Sequence, residues 1–133
     1  MNICRLVYAS STTQPLRAVE LEQLARLRRE RNARAGVTGA LGYHDGSLIE
    51  VLEGRAEEVE SVFASIQEDL RLKGVLTMLR EDSDARLYSD WRMGLLHPEG
   101  VSQEGVVSLQ DLTETGDERV QRLLHSFCSI VGQ

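Results

Sequence analysis

Aromatic residues are scarce in this chain: two Phe, three Tyr and one Trp among 133 residues. A sheet that reads RNA by stacking bases needs paired aromatics on adjacent strands, and that signature is missing. Cysteine is scarcer still. Cys4 and Cys128 lie far apart, fit no metal spacing and no disulfide framework, and are expected as reduced thiols. His44, His97 and His125 share no ligand spacing, so no metal is expected. No nucleophilic triad is visible. The glycines of "GVTGALG" fall inside a hairpin rather than between a strand and a helix, which excludes a phosphate loop. No apolar run is long enough to span a bilayer, and "MNICRLVYASS" opens directly on strand-like sequence. The expectation is a cytoplasmic protein with no membrane segment. A net charge of −6 disfavours nucleic acid as a partner of the whole surface.

What is present is an ordinary globular balance of 41% hydrophobic and 27% charged residues, enough for one domain with a real core. "ICRLVYA" reads as a first strand. Pro15 suits a first helical turn, and residues 16–34 follow as a helix with Leu21, Leu24 and Ala25 on its apolar stripe. Extending that stripe by further turns reaches Arg28 and Asn32. Two polar residues on the core-facing side imply a polar pocket there, unless the stripe runs out to solvent. "GVTGALGYH" and "SLIEVLE" form a hairpin about Asp45-Gly46. Residues 56–70 read as a second helix with Val59, Val62, Phe63, Ile66 and Leu70 at helical spacing. "GVLTMLRE" and "RLYSDWRMGLL" supply the fourth and fifth strands.

The order βαββαββ predicts an α+β, ferredoxin-like sandwich with both helices on one face of a five-stranded mixed sheet. Residues 1–97 would form this domain. Residues 98–133 would be a C-terminal helical extension, opened by the capping box "TGDE" and carrying Val120, Leu123, Leu124, Phe127 and Val131. It would pack on the bare sheet face or on a partner subunit. The arginines of "ARLRRERNAR" read best as a solvated helix face whose late cations suit the helix dipole.

The strand "LIEVLEG" is apolar yet carries two carboxylates. Alternation puts Leu48, Glu50 and Leu52 on one face and Ile49, Val51 and Glu53 on the other. Tyr8, Glu50, Trp91, Met93, Arg28 and Asn32 come from different elements to one interface between helix and sheet. Singly, each has an ordinary explanation: Trp91 and Met93 as core, Asn32 as a helix cap. Together they suit a small-ligand slot.

These residues resemble the BLUF family, the flavin-based sensors of blue light. The matching pieces are "LVYAS" with Tyr8, "RNARAGVTGAL" with Asn32 and Thr38-Gly39, "LEG" at its Leu52 to Gly54 position, "DLR" with Arg71, and "WRMG" with Trp91 and Met93. The resemblance implies FAD held between the two helices, near Tyr8, Leu24, Arg28, Asn32, Glu50, Arg71, Leu72, Trp91 and Met93. It implies that Tyr8 gives an electron and a proton to the excited flavin. Asn32 would bond the polar edge of the ring, and Trp91 and Met93 would pass the signal on. Glu53 would be structural.

The chain departs from the family at the key point. Glu50 stands where the family has Gln, Leu72 where His is common, and Arg28 where a small residue is usual; Leu48 and Ile49 replace a common aromatic. An ionised carboxylate only accepts hydrogen bonds, whereas an amide both donates and accepts. An ion pair of Arg28 with Glu50 would fill the slot between helix and sheet and exclude flavin. The expected function is therefore a sensory and signalling module that acts through a protein partner or homo-oligomer and is not an enzyme, with altered or lost flavin photochemistry. A flavin-free interaction or assembly module on the same scaffold is the alternative. An acylphosphatase-like hydrolase ranks last, because its phosphate loop is not evident.

Overall fold

In the computed structural model, which describes residues 2–88, 91–95, 106–108 and 122, β1 (Ile3–Thr12) leads into α1 (Ala18–Ala35) and then the hairpin of β2 (Thr38–His44) and β3 (Ser47–Gly54). Next come α2 (Ala56–Gln67), β4 (Leu72–Ser83), β5 (Trp91–Leu95) and β6 (Val106–Ser108). The strands form one sheet in the order β4-β1-β3-β2-β5-β6. The first four pair antiparallel; β5 runs parallel to β2, and β6 parallel to β5. The α+β class with two helices agrees with the sequence pattern.

Three expectations are corrected. The described sheet has six strands rather than five, because residues 106–108 within the expected helical extension form β6. A three-residue strand is too short for alternation to register. The expected fifth strand begins only at Trp91. Leu70, expected on the second helix's stripe, lies beyond α2 and is 91% exposed. The cause is local: the Asp69 carboxylate accepts the Arg71 backbone N–H at 2.9 Å, a turn that competes with another helical turn. The remainder of the C-terminal extension, including its capping box and apolar stripe, lies outside the described residues.

β1 and β3 lie inside the sheet, with both edges paired. One face carries Leu6, Tyr8, Leu41, Tyr43, Leu48 and Leu52, which share a core with Leu21, Leu24 and Ala25 of α1 and Val59, Val62 and Ile66 of α2. Both helices therefore pack on this face. On the opposite face Val7, Ile49 and Val51 are also buried. The hairpin turns at Asp45 (φ 43°) and Gly46 (φ 87°), the left-handed pair that an Asp-Gly turn accommodates. Gly39 is required for a different reason. A Cβ there would lie 1.8 Å from the Val51 carbonyl oxygen, so β2 approaches β3 only without a side chain.

α1 begins with Glu20 reaching back to the Arg17 backbone N–H at 3.0 Å and ends at Gly36, left-handed at φ 68°. Gly36, not Asn32, is thus the C-cap. Its buried stripe is Leu21, Leu24, Ala25, Arg28 and Asn32. The stripe does not run out to solvent; its last two members are polar and inside. No described helix is long and apolar enough to cross a membrane.

Candidate functional site

Glu50 sits at the middle of β3, opposite Tyr8 on β1 and Leu41 on β2. All three face the helices. The Tyr8 hydroxyl donates to Glu50 Oε1 at 2.5 Å. From α1, Arg28 Nη1 donates to the same Oε1 at 2.8 Å and to the Tyr8 hydroxyl oxygen at 3.3 Å. The result is a closed triangle of phenol, carboxylate and guanidinium. Exposure is 0% for Tyr8 and Glu50 and 2% for Arg28, so bulk water does not screen the charges. Phe63 of α2 closes the other side, its ring centre 5.4 Å from that of Tyr8.

The electrostatics follow from this geometry. Burial, reinforced by the Glu50 charge, raises the Tyr8 pKa well above the ordinary 10.0, while Arg28 opposes the shift. Burial is the largest influence and works against the Arg28 charge, but Glu50, Tyr8 and Asp69 together outweigh it and hold the guanidinium above its ordinary value. The pair is an ion pair in a desolvated slot, where attraction largely offsets desolvation and the net stabilisation is small.

One helical turn beyond Arg28 lies Asn32, 0% exposed. Neither of its amide atoms has a hydrogen-bond partner among the described residues, and the same holds for Arg28 Nη2 and for Nε and Nη2 of Arg31. Buried polar atoms are rarely left so, and such a cluster is ordinarily satisfied by water or by another bound group. Leu24 is core just N-terminal to this cluster. Arg71 is exposed and held by Asp69, with Nη2 to Oδ2 at 2.7 Å. Leu72 starts β4, packed against the core. On β5, Trp91 pairs with Gly39, and Met93 with Leu41, two strands from Glu50; their side chains lie outside the described residues. Sequence reasoning passed over Arg31. Its signal was the position beside Asn32 and one turn after Arg28, masked by membership of an arginine run.

Glu53 belongs to the other face and a different arrangement. It accepts from Arg5 Nε at 2.9 Å, from Leu87 N at 2.9 Å and from Tyr88 N at 2.8 Å. Its oxygens tie β1 and β3 to the segment leading to β5, as a structural residue would.

The family model described as sensors of blue light using FAD matches residues 3–94. The chain belongs to the BLUF family. Photoactivated adenylate cyclase subunit beta of Euglena gracilis is 31% identical over 103 residues, covering 76% of this chain. The chain spans only 12% of that relative's length. Among solved structures, the BLUF domain of BlrP1 superposes with a TM-score of 0.75 at 27% identity, covering 96% of this chain and 90% of that one. BlrB, a BLUF protein in its dark state, gives a TM-score of 0.68 at 26% identity, covering 92% of this chain and 83% of that one. BLUF domains are flavin-based blue-light signalling modules, with FAD as the family's cofactor.

The residues of the slot fit that cofactor at its polar edge. A flavin ring presents neighbouring hydrogen-bond donors and acceptors there. Asn32 offers one of each with no internal partner, and the unpaired guanidinium nitrogens add donors.

Proposed function

We propose that this chain is a blue-light sensory module that signals through protein association and whose flavin response is altered by a charged relay. The observation that carries the reading is the triangle of Tyr8, Glu50 and Arg28. When bound, FAD supplies light absorption and electron acceptance. Asn32 and Arg31 would hold its polar edge. Tyr8 is the donor, and its hydroxyl proton points at a carboxylate rather than an amide. Arg28 fixes that carboxylate by charge. A carboxylate held this way cannot exchange donor and acceptor ends as an amide does, so the rearrangement expected of a Gln at this position is blocked. Association is supported by β4, which ends the described sheet and exposes Leu76 and Met78 along an open strand edge.

A second reading, a flavin-free interaction module, is favoured by the fact that the triangle is complete without a ligand. The visible spectrum of the purified full chain, in the dark and after blue light, tests both. The expected result is bound FAD without a reversible red shift. A reversible red shift in the unaltered protein overturns the proposal, and a colourless protein that does not take up added FAD favours the second reading.

A further inference from the structure

Arg28 and Asn32 are 2% and 0% exposed, and Arg31 lies between them in sequence on α1. Together they hold five buried polar atoms without partners among the described residues, four of them donors: Arg28 Nη2, Arg31 Nε and Nη2, and Asn32 Nδ2. The charges around them do not balance. Arg28 is matched by Glu50 at 2.8 Å. Asp69, the other carboxylate acting on both Arg28 and Arg31, is taken by Arg71, whose Nη2 and Nε lie at 2.7 and 3.0 Å from its oxygens. Among the described residues Arg31 is left as the surplus cation. Burial first, and the Arg28 charge second, lower its pKa, as expected of a guanidinium short of counter-charge.

We infer that Arg31, with Arg28 Nη2 and Asn32, forms a site for a group that gains negative charge, and that this group is the reduced flavin ring. The module then reports redox state as well as light. The inference rests on FAD being the ligand of the slot. A hydride donor delivers two electrons and one proton as hydride to the oxidised, neutral ring; the new N–H bond forms at N5, and the electron pair displaced into the ring leaves one net negative charge on its N1–C2 carbonyl edge. A cation fixed near that edge favours the charged form. A diphosphate bound at the same donors would be attracted equally in both redox states, so dependence on redox state separates the two ligand groups.

The full chain, stripped of flavin, is titrated with oxidised FAD and, anaerobically, with FAD reduced by dithionite, following flavin fluorescence and heat of binding. Reduced FAD is expected to bind about tenfold or more tightly than oxidised FAD, the effect of one charge-assisted hydrogen bond. Tenfold corresponds to a two-electron midpoint about 30 mV above that of free FAD. In Arg31→Gln the ratio of the two affinities falls to about one, whatever oxidised-FAD affinity is lost with the donor; Arg31→Lys retains the ratio, and circular dichroism reports the fold of both. Equal affinity of the unaltered protein for the two forms overturns the inference and leaves the FAD reading standing. Binding of neither form overturns both. A preference that survives in Arg31→Gln overturns the role given to Arg31.

Discussion

Replacing Glu50 with Gln removes one negative charge from a slot in which Arg28 remains. Arg28 is 2% exposed, its Nη1 loses a charged partner at 2.8 Å, and its Nη2 already lacks one. Removing one member of a buried pair costs about 3–5 kcal/mol. The Gln carbonyl still accepts one hydrogen bond, which places the loss near about 3 kcal/mol. For a chain of this size about 1 kcal/mol moves Tm by roughly 3–4 °C, so Glu50→Gln should melt about 10 °C lower. Adding Arg28→Ser removes the stranded cation and leaves chiefly a cavity cost of about 1–2 kcal/mol. The double variant is then more stable than Glu50→Gln alone, with coupling of at least about 2 kcal/mol. Urea unfolding of the four proteins, followed by circular dichroism, measures this. The double variant also restores the family's amide and small residue, and it should gain a reversible red shift under blue light. If Glu50→Gln unfolds at the same urea midpoint as the unaltered protein, the ion pair is not a buried interaction and the reasoning about the slot fails.

Other perturbations separate structural from functional groups. Glu53→Ala strands the Arg5 Nε and two backbone N–H groups and should cost about 3–5 kcal/mol in thermal or urea unfolding; a loss below about 1 kcal/mol contradicts its structural role. Gly39→Ala drives a Cβ to within 1.8 Å of a backbone oxygen, and a soluble variant with unchanged Tm would show that β2 and β3 are spaced more widely than described. Tyr8 gives a pH test. Its folded pKa lies well above the unfolded 10.0, so the neutral phenol stabilises the fold fully below that pH, and the contribution is lost as pH rises beyond it. Native protein and Tyr8→Phe should therefore show equal tyrosinate absorbance steps at 295 nm near pH 10, and a larger step in the unaltered protein refutes the shift.

Much of the fold was legible because it rests on local signals. Asp45-Gly46 predicts the hairpin that forms, and the spacing of Leu21, Leu24 and Ala25 locates the buried stripe of α1. Following the stripe to Arg28 and Asn32 also identified the polar slot, since helical geometry carries a face onward whatever residues occupy it. Periodicity failed where tertiary context or side-chain chemistry decides. β6 exists through pairing with β5 across distant sequence. Leu70 continues the period of α2, but Asp69 turns the chain before it is reached. The position of Arg31 beside Asn32 was masked by the arginine run, because which arginine of a run is partly buried depends on where the sheet lies.

The two glutamates of β3 show where such reading reaches its limit. Both are 0% exposed, and each is paired with an arginine. Their surroundings differ. Glu53 lies in a cross-strand row with Arg5 and Glu81, and backbone N–H groups of Leu87 and Tyr88 complete its shell. Around Glu50 the ion pair is closed, but the adjoining helix surface keeps five buried polar atoms without partners among the described residues. Unmade hydrogen bonds cost more than the net gain from made ones. A fold that served only as scaffold would gain stability by replacing Asn32 with an apolar residue, because its side chain makes no hydrogen bond among the described residues to lose. Asn32 inside the core and the half-buried Arg31 beside it leave unmet donors and an acceptor that a bound group would satisfy, and on the proposed reading the Arg28–Glu50 pair alters the relay beside that group rather than taking its place.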